Sequence, residues 1–288
     1  MDALKQFFSP FFAVMKFIQE HFKAMIFLLI VFLIFSPSEA DLEPANLTEI
    51  KLEGIILDAS VVVEKLEDAR EDKNIKGVLF VVNSPGGAVP PSIEIMEAIK
   101  RLKAEKPVIV YAAGTIASGS YYASIYANEI YANPGSMVGS IGVIMQGANY
   151  EELAQKIGFS SQIVKAGKFK EVGTASRPWK PYETAELEKV VNDTYDLFVS
   201  DVSKARKLDP SKHTEFADAH IFTASQAKEV GLIDKVGVAY DAKIALETLS
   251  SVNKPIWKKE DKMDSFIRRL SGESAALLGA YFSNLTLK

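Results

Sequence analysis

The stretch Gly77–Gly87 (GVLFVVNSPGG) joins a strand pattern to a glycine-rich end. Its first six residues form a continuous apolar run rich in β-branched residues, which is typical of a parallel strand buried on both faces. The NSPGG sequence that follows predicts a sharp turn with bare backbone N–H groups, because glycine carries no side chain to cover them. An oxyanion hole needs such amides, although an ordinary tight turn explains SPGG alone equally well.

Strand and helix patterns alternate on the carboxyl side of this stretch. The alternation predicts an α/β domain whose strands are mostly parallel. Strands are predicted at Pro107–Ala113, Glu129–Asn133 and Gly139–Ile144, and helices at Ile93–Leu102, Ser118–Tyr126 and Tyr182–Lys204.

A second glycine- and serine-rich sequence, Gly114–Tyr122 (GTIASGSYY), lies where a predicted strand gives way to a helix. Ser118 stands between alanine and glycine there, as a nucleophile does at a strand-to-helix elbow. The next backbone N–H, that of Gly119, could then hold negative charge. The alternative is that Ser118 only caps the helix.

Composition excludes several classes of function. The chain of 288 residues has 33 basic and 37 acidic residues, and therefore a net charge of −4. This balance disfavours nucleic-acid binding. The absence of cysteine rules out disulfides, thiolate metal sites and cysteine nucleophiles. Only His21, His213 and His220 are present, so a histidine-rich metal site is disfavoured and no metal is expected.

A serine nucleophile needs a base, and the three histidines are poor candidates because of their positions in the chain. A lysine kept neutral by burial is the natural substitute, since burial disfavours the charged form. Ile163–Gly173 (IVKAGKFKEVG) offers three candidates, Lys165, Lys168 and Lys170, and we expect this segment to be extended. Spacing alone does not choose among them.

The amino-terminal region predicts a membrane anchor. Ala24–Phe35 is a run of 12 uncharged apolar residues preceded by Lys5, Lys16 and Lys23. An uncleaved anchor is the first interpretation, a cleaved signal peptide the second and a buried core helix the third. The lysines place the amino terminus in the cytoplasm and the remainder of the chain outside it.

Five motifs in chain order resemble the signal peptide peptidase A family: NSPGG, ASGSYYAS, GSIGV, AGKFKEVG and ADAHIFTASQAKEVGLIDKVG. The resemblance runs from about Ile50 to Gly237. It implies an α/β fold of the crotonase-like (ClpP-like) type, a ββα superhelix preceded by an N-terminal membrane-anchor helix. Predicted segments are a cytoplasmic segment (1–23), a signal anchor or transmembrane helix (24–38), a peptidase domain (45–250) and a C-terminal helical extension (251–288).

The resemblance also implies residue roles. Ser118 would be the nucleophile, Lys170 the general base and Ser140 the hydroxyl that orients the lysine. The backbone N–H groups of Gly87 and Gly119 would form the oxyanion hole. In family members glycine often stands where this chain has Ser120, which could narrow the site, and His220 is assigned no role.

The function implied is a membrane-bound serine endopeptidase that degrades hydrophobic peptides, chiefly remnant signal peptides, without any cofactor. Its expected partners are those peptides, membrane lipid and further copies of itself, and its expected location is the bacterial inner membrane with the catalytic domain outside the cytoplasm. Shallow apolar subsites are expected from Val138, Ile141 and Val143, together with the apolar stretch Val89–Ile95. Two alternatives stay open at this point: a crotonase-type acyl-CoA enzyme and a non-catalytic membrane scaffold of the same fold.

Overall fold

The computed structural model describes residues 16–30 and 43–258 of the chain. The chain divides into two compact units, Met1–Pro44 and Ala45–Lys288. In the first unit residues 16–30 form a helix (α1), along which apolar side chains such as Phe27 and Leu28 are exposed. Within the two described ranges, no helix has the length and apolarity of a membrane span. The rest of the predicted anchor, residues 31–38, lies outside the described residues.

The second unit is built on one seven-stranded sheet in which β1-β2-β3-β4-β7 lie side by side. All of these pairs are parallel, as is the pairing of β5 with β3, whereas β6 runs antiparallel to β5. The predicted α/β class with mostly parallel strands is therefore confirmed. The strands are β1 (Leu47–Ile56), β2 (Gly77–Gly87), β3 (Val108–Ala117), β4 (Glu129–Ala132), β5 (Met137–Gly139), β6 (Ile221–Thr223) and β7 (Lys235–Val236).

The second unit also contains helices, several of which cover the two faces of this sheet. They are α2 (Ser60–Glu71), α3 (Val89–Glu105), α4 (Gly119–Ser124), α5 (Glu151–Lys156), α6 (Pro181–Arg206), α7 (His213–Phe216), α8 (Ala224–Glu229) and α9 (Ala239–Leu249), with a 3-10 turn at Pro210–Lys212.

The continuous apolar run of β2 is explained by the two cores that it separates. Val78, Phe80 and Val82 belong to the large core, which also contains apolar side chains of α2 and α3. Leu79 points the other way into a smaller core, where it meets Leu246 of α9. Because successive side chains of a strand alternate between faces, burial on both sides requires apolar residues at every position.

Two strands differ in length from their predictions. β2 does not turn at SPGG but stays paired through Gly87, with a register shift between Val82 and Ser84. The predicted strand Gly139–Ile144 is wrong beyond its first residue, because β5 ends at Gly139 and residues 140–150 adopt no regular structure. Both differences arise at the edge of the sheet where the candidate site residues gather.

The first residues of the predicted C-terminal extension return to the open edge of β1. Leu47 pairs in parallel with Trp257, and the Lys258 N–H donates to the Leu47 carbonyl at 2.7 Å. The Trp257 indole also donates to Glu247 of α9. Residues 259–288, which include most of that extension, lie outside the described residues.

Candidate active site

Ser118 lies directly after β3 and directly before α4, as the elbow interpretation predicts. Its backbone has φ 53° and ψ −124°, a region that serine rarely adopts and that costs about 1–3 kcal/mol. Two hydrogen bonds hold it there: its N–H donates to the Gly139 carbonyl at 2.8 Å, and its carbonyl accepts the Tyr122 N–H at 2.9 Å. Ser118 is partly exposed, and its side chain does not cap the helix that follows.

The carboxyl end of β2 passes close to this elbow. Gly86 has φ +94°, and a Cβ there would lie 2.6 Å from the Gly119 nitrogen and 2.9 Å from the Ser118 Cβ. Glycine is therefore required for the close approach of the two backbones.

The Gly87 amide points toward the same space. The Ala88 N–H donates to the Ile56 carbonyl of β1 at 2.8 Å. Since successive amides of an extended strand point to opposite sides, the Gly87 N–H points away from β1. A Cβ on Gly119 would lie 3.2 Å from the Gly87 nitrogen. The geometry thus brings together Ser118, the Gly119 amide and the Gly87 amide, a set that can attack a carbonyl and bind the resulting oxyanion.

The helix that carries Ser118 and Gly119 is fixed from two sides. The Tyr121 hydroxyl donates to the Leu232 carbonyl at 2.7 Å, and the Tyr122 hydroxyl donates to Asp201 of α6 at 2.5 Å. Burial raises the pKa of both phenols, so both remain donors at physiological pH. A nucleophile on such a rigid element needs little rearrangement to reach its reactive position.

Ser140 lies next to the elbow across the β3–β5 pair. Ala117 pairs with Gly139, so Ser140 follows the carbonyl that accepts the Ser118 N–H. Ser140 also has a positive φ, 50°, and its N–H donates to the His220 carbonyl at 2.7 Å. The sequence offered no role for His220, yet its backbone carbonyl accepts this hydrogen bond from Ser140. The His220 side chain is exposed.

The three candidate lysines do not share an extended segment, and that expectation is wrong. Successive turns fold residues 166–173, with the Lys170 N–H donating to the Gly167 carbonyl at 3.3 Å. Consequently the lysines differ in environment. The Lys168 ammonium lies 4.9 Å from the centre of the Tyr182 ring and 5.2 Å from that of Phe169, within the range of cation–π contacts.

Lys165 is also committed to a partner. Its amine lies 2.7 Å from a Glu171 carboxylate oxygen, and this hydrogen bond raises the pKa of the lysine, which makes it a poor base. Within the described part of the chain, the Lys170 amine makes no ion pair and no hydrogen bond. In particular, it does not bond to Ser118 or to Ser140. Lys170 is exposed in the single chain.

A buried ion pair joins this lysine segment to the start of α6. Arg177 donates two hydrogen bonds, of 2.8 and 2.9 Å, to the Glu183 carboxylate, whose side chain is fully buried. These bonds, with another from the Lys180 N–H, lower the pKa of Glu183 to about 2. Arg177 also lies 2.9 Å from Glu171, the partner of Lys165.

Two smaller expectations about the site need correction. Ser120 does not narrow the site, because its side chain is fully buried and bonded to the backbone of β2 and β3. Val138 and Ile141 cannot line apolar subsites, because both are fully buried in the large core. Residue type alone did not distinguish these positions, since apolar residues serve a core and a subsite equally well.

The fold of this chain resembles that of a protease whose structure is known. A solved structure of the membrane-bound stomatin-specific protease 1510-N, in a serine-to-alanine variant, superposes with a TM-score of 0.53 over 76% of this chain and 100% of that one. At 15% identity this likeness shows the fold alone. A Clp protease profile matches residues 50–136, which contain most of β1, all of β2 to β4 and the elbow, in agreement with the predicted ClpP-like fold. The fold is therefore an α/β fold of the ClpP-like type, with a strained serine beside two backbone amides at the ends of its strands.

The sequence relatives are more specific. "Putative protease MJ0651" of Methanocaldococcus jannaschii is 41% identical over 69% of this chain and 64% of its own length. "Putative signal peptide peptidase SppA" of Enterococcus faecium is 33% identical over 76% of this chain and 61% of its own length. The chain therefore matches somewhat less than two thirds of either relative. The profile of peptidase family S49 matches residues 100–253, and the chain belongs to that family. The resemblance to the signal peptide peptidase A family is confirmed.

Proposed function

We propose that this protein is a serine peptidase that uses a serine–lysine dyad. The observation that carries the proposal is the strained backbone of Ser118 beside the Gly87 and Gly119 amides. A serine in that conformation presents its hydroxyl to a carbonyl whose oxygen the two amides can bind. Membership of peptidase family S49 supports the same chemistry.

In the proposed reaction the Lys170 amine, in its neutral form, accepts the Ser118 hydroxyl proton as Oγ bonds to the peptide carbonyl carbon. The negative charge that moves to the carbonyl oxygen is stabilised by the two amides. The C–N bond then breaks as the lysine returns its proton to the leaving amine, which leaves an acyl-serine. Water, deprotonated by the same lysine, hydrolyses the ester. Ser140 is the proposed partner that orients the lysine amine.

Lys170 is supported as the base because Lys165 is paired and Lys168 lies against aromatic rings, whereas the Lys170 amine is free of such contacts in the described chain. A neutral lysine requires removal from water, and a single chain leaves this one exposed. The proposal therefore needs the lysine segment to be covered when the enzyme is active.

Assembly of several copies would remove the lysine segment from water. The segment before Lys170 carries apolar side chains that are exposed to an unusual degree, among them Ile144 at 83%, Ile157 at 72% and Val164 fully. α5, at the centre of this segment, has no buried residue. Large exposed apolar patches usually mark contacts with other molecules. We assign this surface to the copy-to-copy contact of a homo-oligomer.

The proposed substrates are hydrophobic peptides, chiefly remnant signal peptides, cleaved by an enzyme anchored in the bacterial inner membrane with its catalytic domain outside the cytoplasm. The apolar run Ala24–Phe35 and the lysines before it support the anchor and its orientation. The name of the Enterococcus faecium relative, a putative signal peptide peptidase, supports the substrate class.

The dyad is tested by substituting its members in the full-length protein, purified in detergent and assayed on an apolar fluorogenic peptide. Ser118→Ala and Lys170→Ala should each abolish turnover while leaving the melting temperature unchanged, since both side chains lie at the surface. Lys168→Ala is the matched control and should retain most activity. Robust hydrolysis by Lys170→Ala would refute the dyad, and failure of a fluorophosphonate to label Ser118 would refute the nucleophile.

A further inference from the structure

Ser120 occupies an unusual place two residues after the proposed nucleophile. Its side chain is fully buried, and its hydroxyl contacts two strands at once. Oγ accepts the Ala117 N–H at 2.9 Å and donates to the Ser84 carbonyl at 2.7 Å, with the Ala117 carbonyl also 2.9 Å away. A hydroxyl has one donor and two acceptor sites, so these contacts occupy its donor site and one of its acceptor sites.

These contacts fall where the ladder between β2 and β3 ends. Ser84 pairs with Ile116, the last pair of that ladder. Pro85 follows, and because proline has no N–H it cannot donate to a further rung. The Ser84 hydroxyl turns inward to accept the Gly86 N–H at 3.1 Å. The Ser120 hydroxyl thus links the two strands at the last pair of their ladder, next to a second side-chain link in which Asn83 of β2 accepts the Thr115 N–H of β3 at 3.0 Å.

The two halves of the proposed oxyanion hole lie immediately beyond this link. Gly87 follows Ser84 by three residues on β2, and Gly119 follows Ala117 by two residues beyond β3. Their separation depends on how β2 and β3 are held at Ser84 and Ala117, because Gly86 leaves no side chain between them.

We propose that Ser120 is a positioning residue that sets the distance between the Gly87 and Gly119 amides. The inference rests on the proposed peptidase function and deepens it. Ser120 does not touch the substrate; it acts through the backbone of both strands. A shift of a few tenths of an ångström in one amide weakens its bond to the oxyanion in the transition state and leaves ground-state peptide binding almost unchanged.

The test compares Ser120→Ala with Ser124→Ala in the full-length protein. Ser124 is the matched control because it is an equally buried serine of the same helix, and its hydroxyl donates only to the Ser120 carbonyl within that helix. For Ser120→Ala we expect kcat per titrated active site to fall on the order of tenfold with KM changed less than about twofold. Affinity for a peptide aldehyde, whose adduct with serine carries an oxyanion, should fall by the same factor. Ser124→Ala should behave as the wild type.

If Ser120→Ala does not fold, Ser120→Cys keeps the shape of the side chain and replaces the hydroxyl by a weaker hydrogen-bonding thiol, and the same kinetic split is expected. Equal kcat per titrated site in the Ser120 and Ser124 variants would overturn the positioning role. A loss confined to the number of titratable sites would also overturn it, because that result reports stability alone. A wild-type protein that neither hydrolyses the peptide nor reacts at Ser118 would overturn the proposed function itself, and a failure limited to Ser120→Ala would leave that function standing.

Discussion

Gly86 is the residue at which backbone geometry and proposed catalysis meet most closely, and Gly86→Ala is a quantitative test of the site. A Cβ at this position would lie 2.6 Å from the Gly119 nitrogen, 2.7 Å from the Ala117 carbonyl oxygen and 2.9 Å from the Ser118 Cβ. All three distances are shorter than normal contacts. The first two neighbours are backbone atoms, which cannot turn aside as the end of a flexible side chain can.

Two costs add in this variant. Placing alanine at a positive φ costs about 1 kcal/mol, and inserting a methyl group into a packed site typically adds about 1–3 kcal/mol. A total of about 2–4 kcal/mol corresponds to a fall of about 5–15 °C in the melting temperature of a domain of this size. Displacement of the Gly119 amide should also lower kcat by about 100-fold, the loss expected when one oxyanion donor is removed.

Gly54→Ala provides the matched control for the backbone cost. Gly54 lies at the bulge of β1 with φ +72°, and a Cβ there would have no atom within 4 Å. This variant should lose only about 1 kcal/mol, melt about 2–4 °C lower and keep its activity. Thermal unfolding followed by circular dichroism and kcat per titrated active site measure both effects. Equal melting temperatures and equal kcat in the two variants would refute the close approach of β2 to the elbow.

Three further predictions concern acid stability, assembly and topology. The folded-state pKa of Glu183 lies at about 2, below its ordinary value of 4.5, so its contribution is present above about pH 4.5 and is lost as the pH falls toward 2. Glu183→Gln should therefore melt lower than the wild type at pH 6, and the difference should narrow by pH 3; a constant difference would contradict this account. Val164→Asp should leave the melting temperature unchanged but reduce the mass in solution and the activity, as measured by light scattering, whereas an unchanged mass would exclude this surface as the copy-to-copy contact. Protease added to intact spheroplasts should cleave the second unit, and its protection until lysis would reverse the proposed orientation.

Local patterns were sufficient for much of this protein. The continuous apolar run of β2 predicted a strand buried on both faces, because each of its residues must enter one of two cores. The place of Ser118 between a strand and a helix was predictable, because a serine flanked by small residues at such a junction is a local signal. The glycine pair of NSPGG likewise marked a bare backbone, although the turn predicted there is in fact the paired end of β2.

Contacts between distant parts of the chain decided the rest. Spacing could not choose among the lysines, because they lie in turns in which Lys165 pairs with Glu171 and Lys168 lies over the Tyr182 ring. The role of Ser120 was equally hidden, since its hydroxyl meets a carbonyl 36 residues earlier in the chain. Periodicity records which face of an element is buried. It carries no record of which backbone groups approach one another across the sheet, and in this protein those approaches define the site.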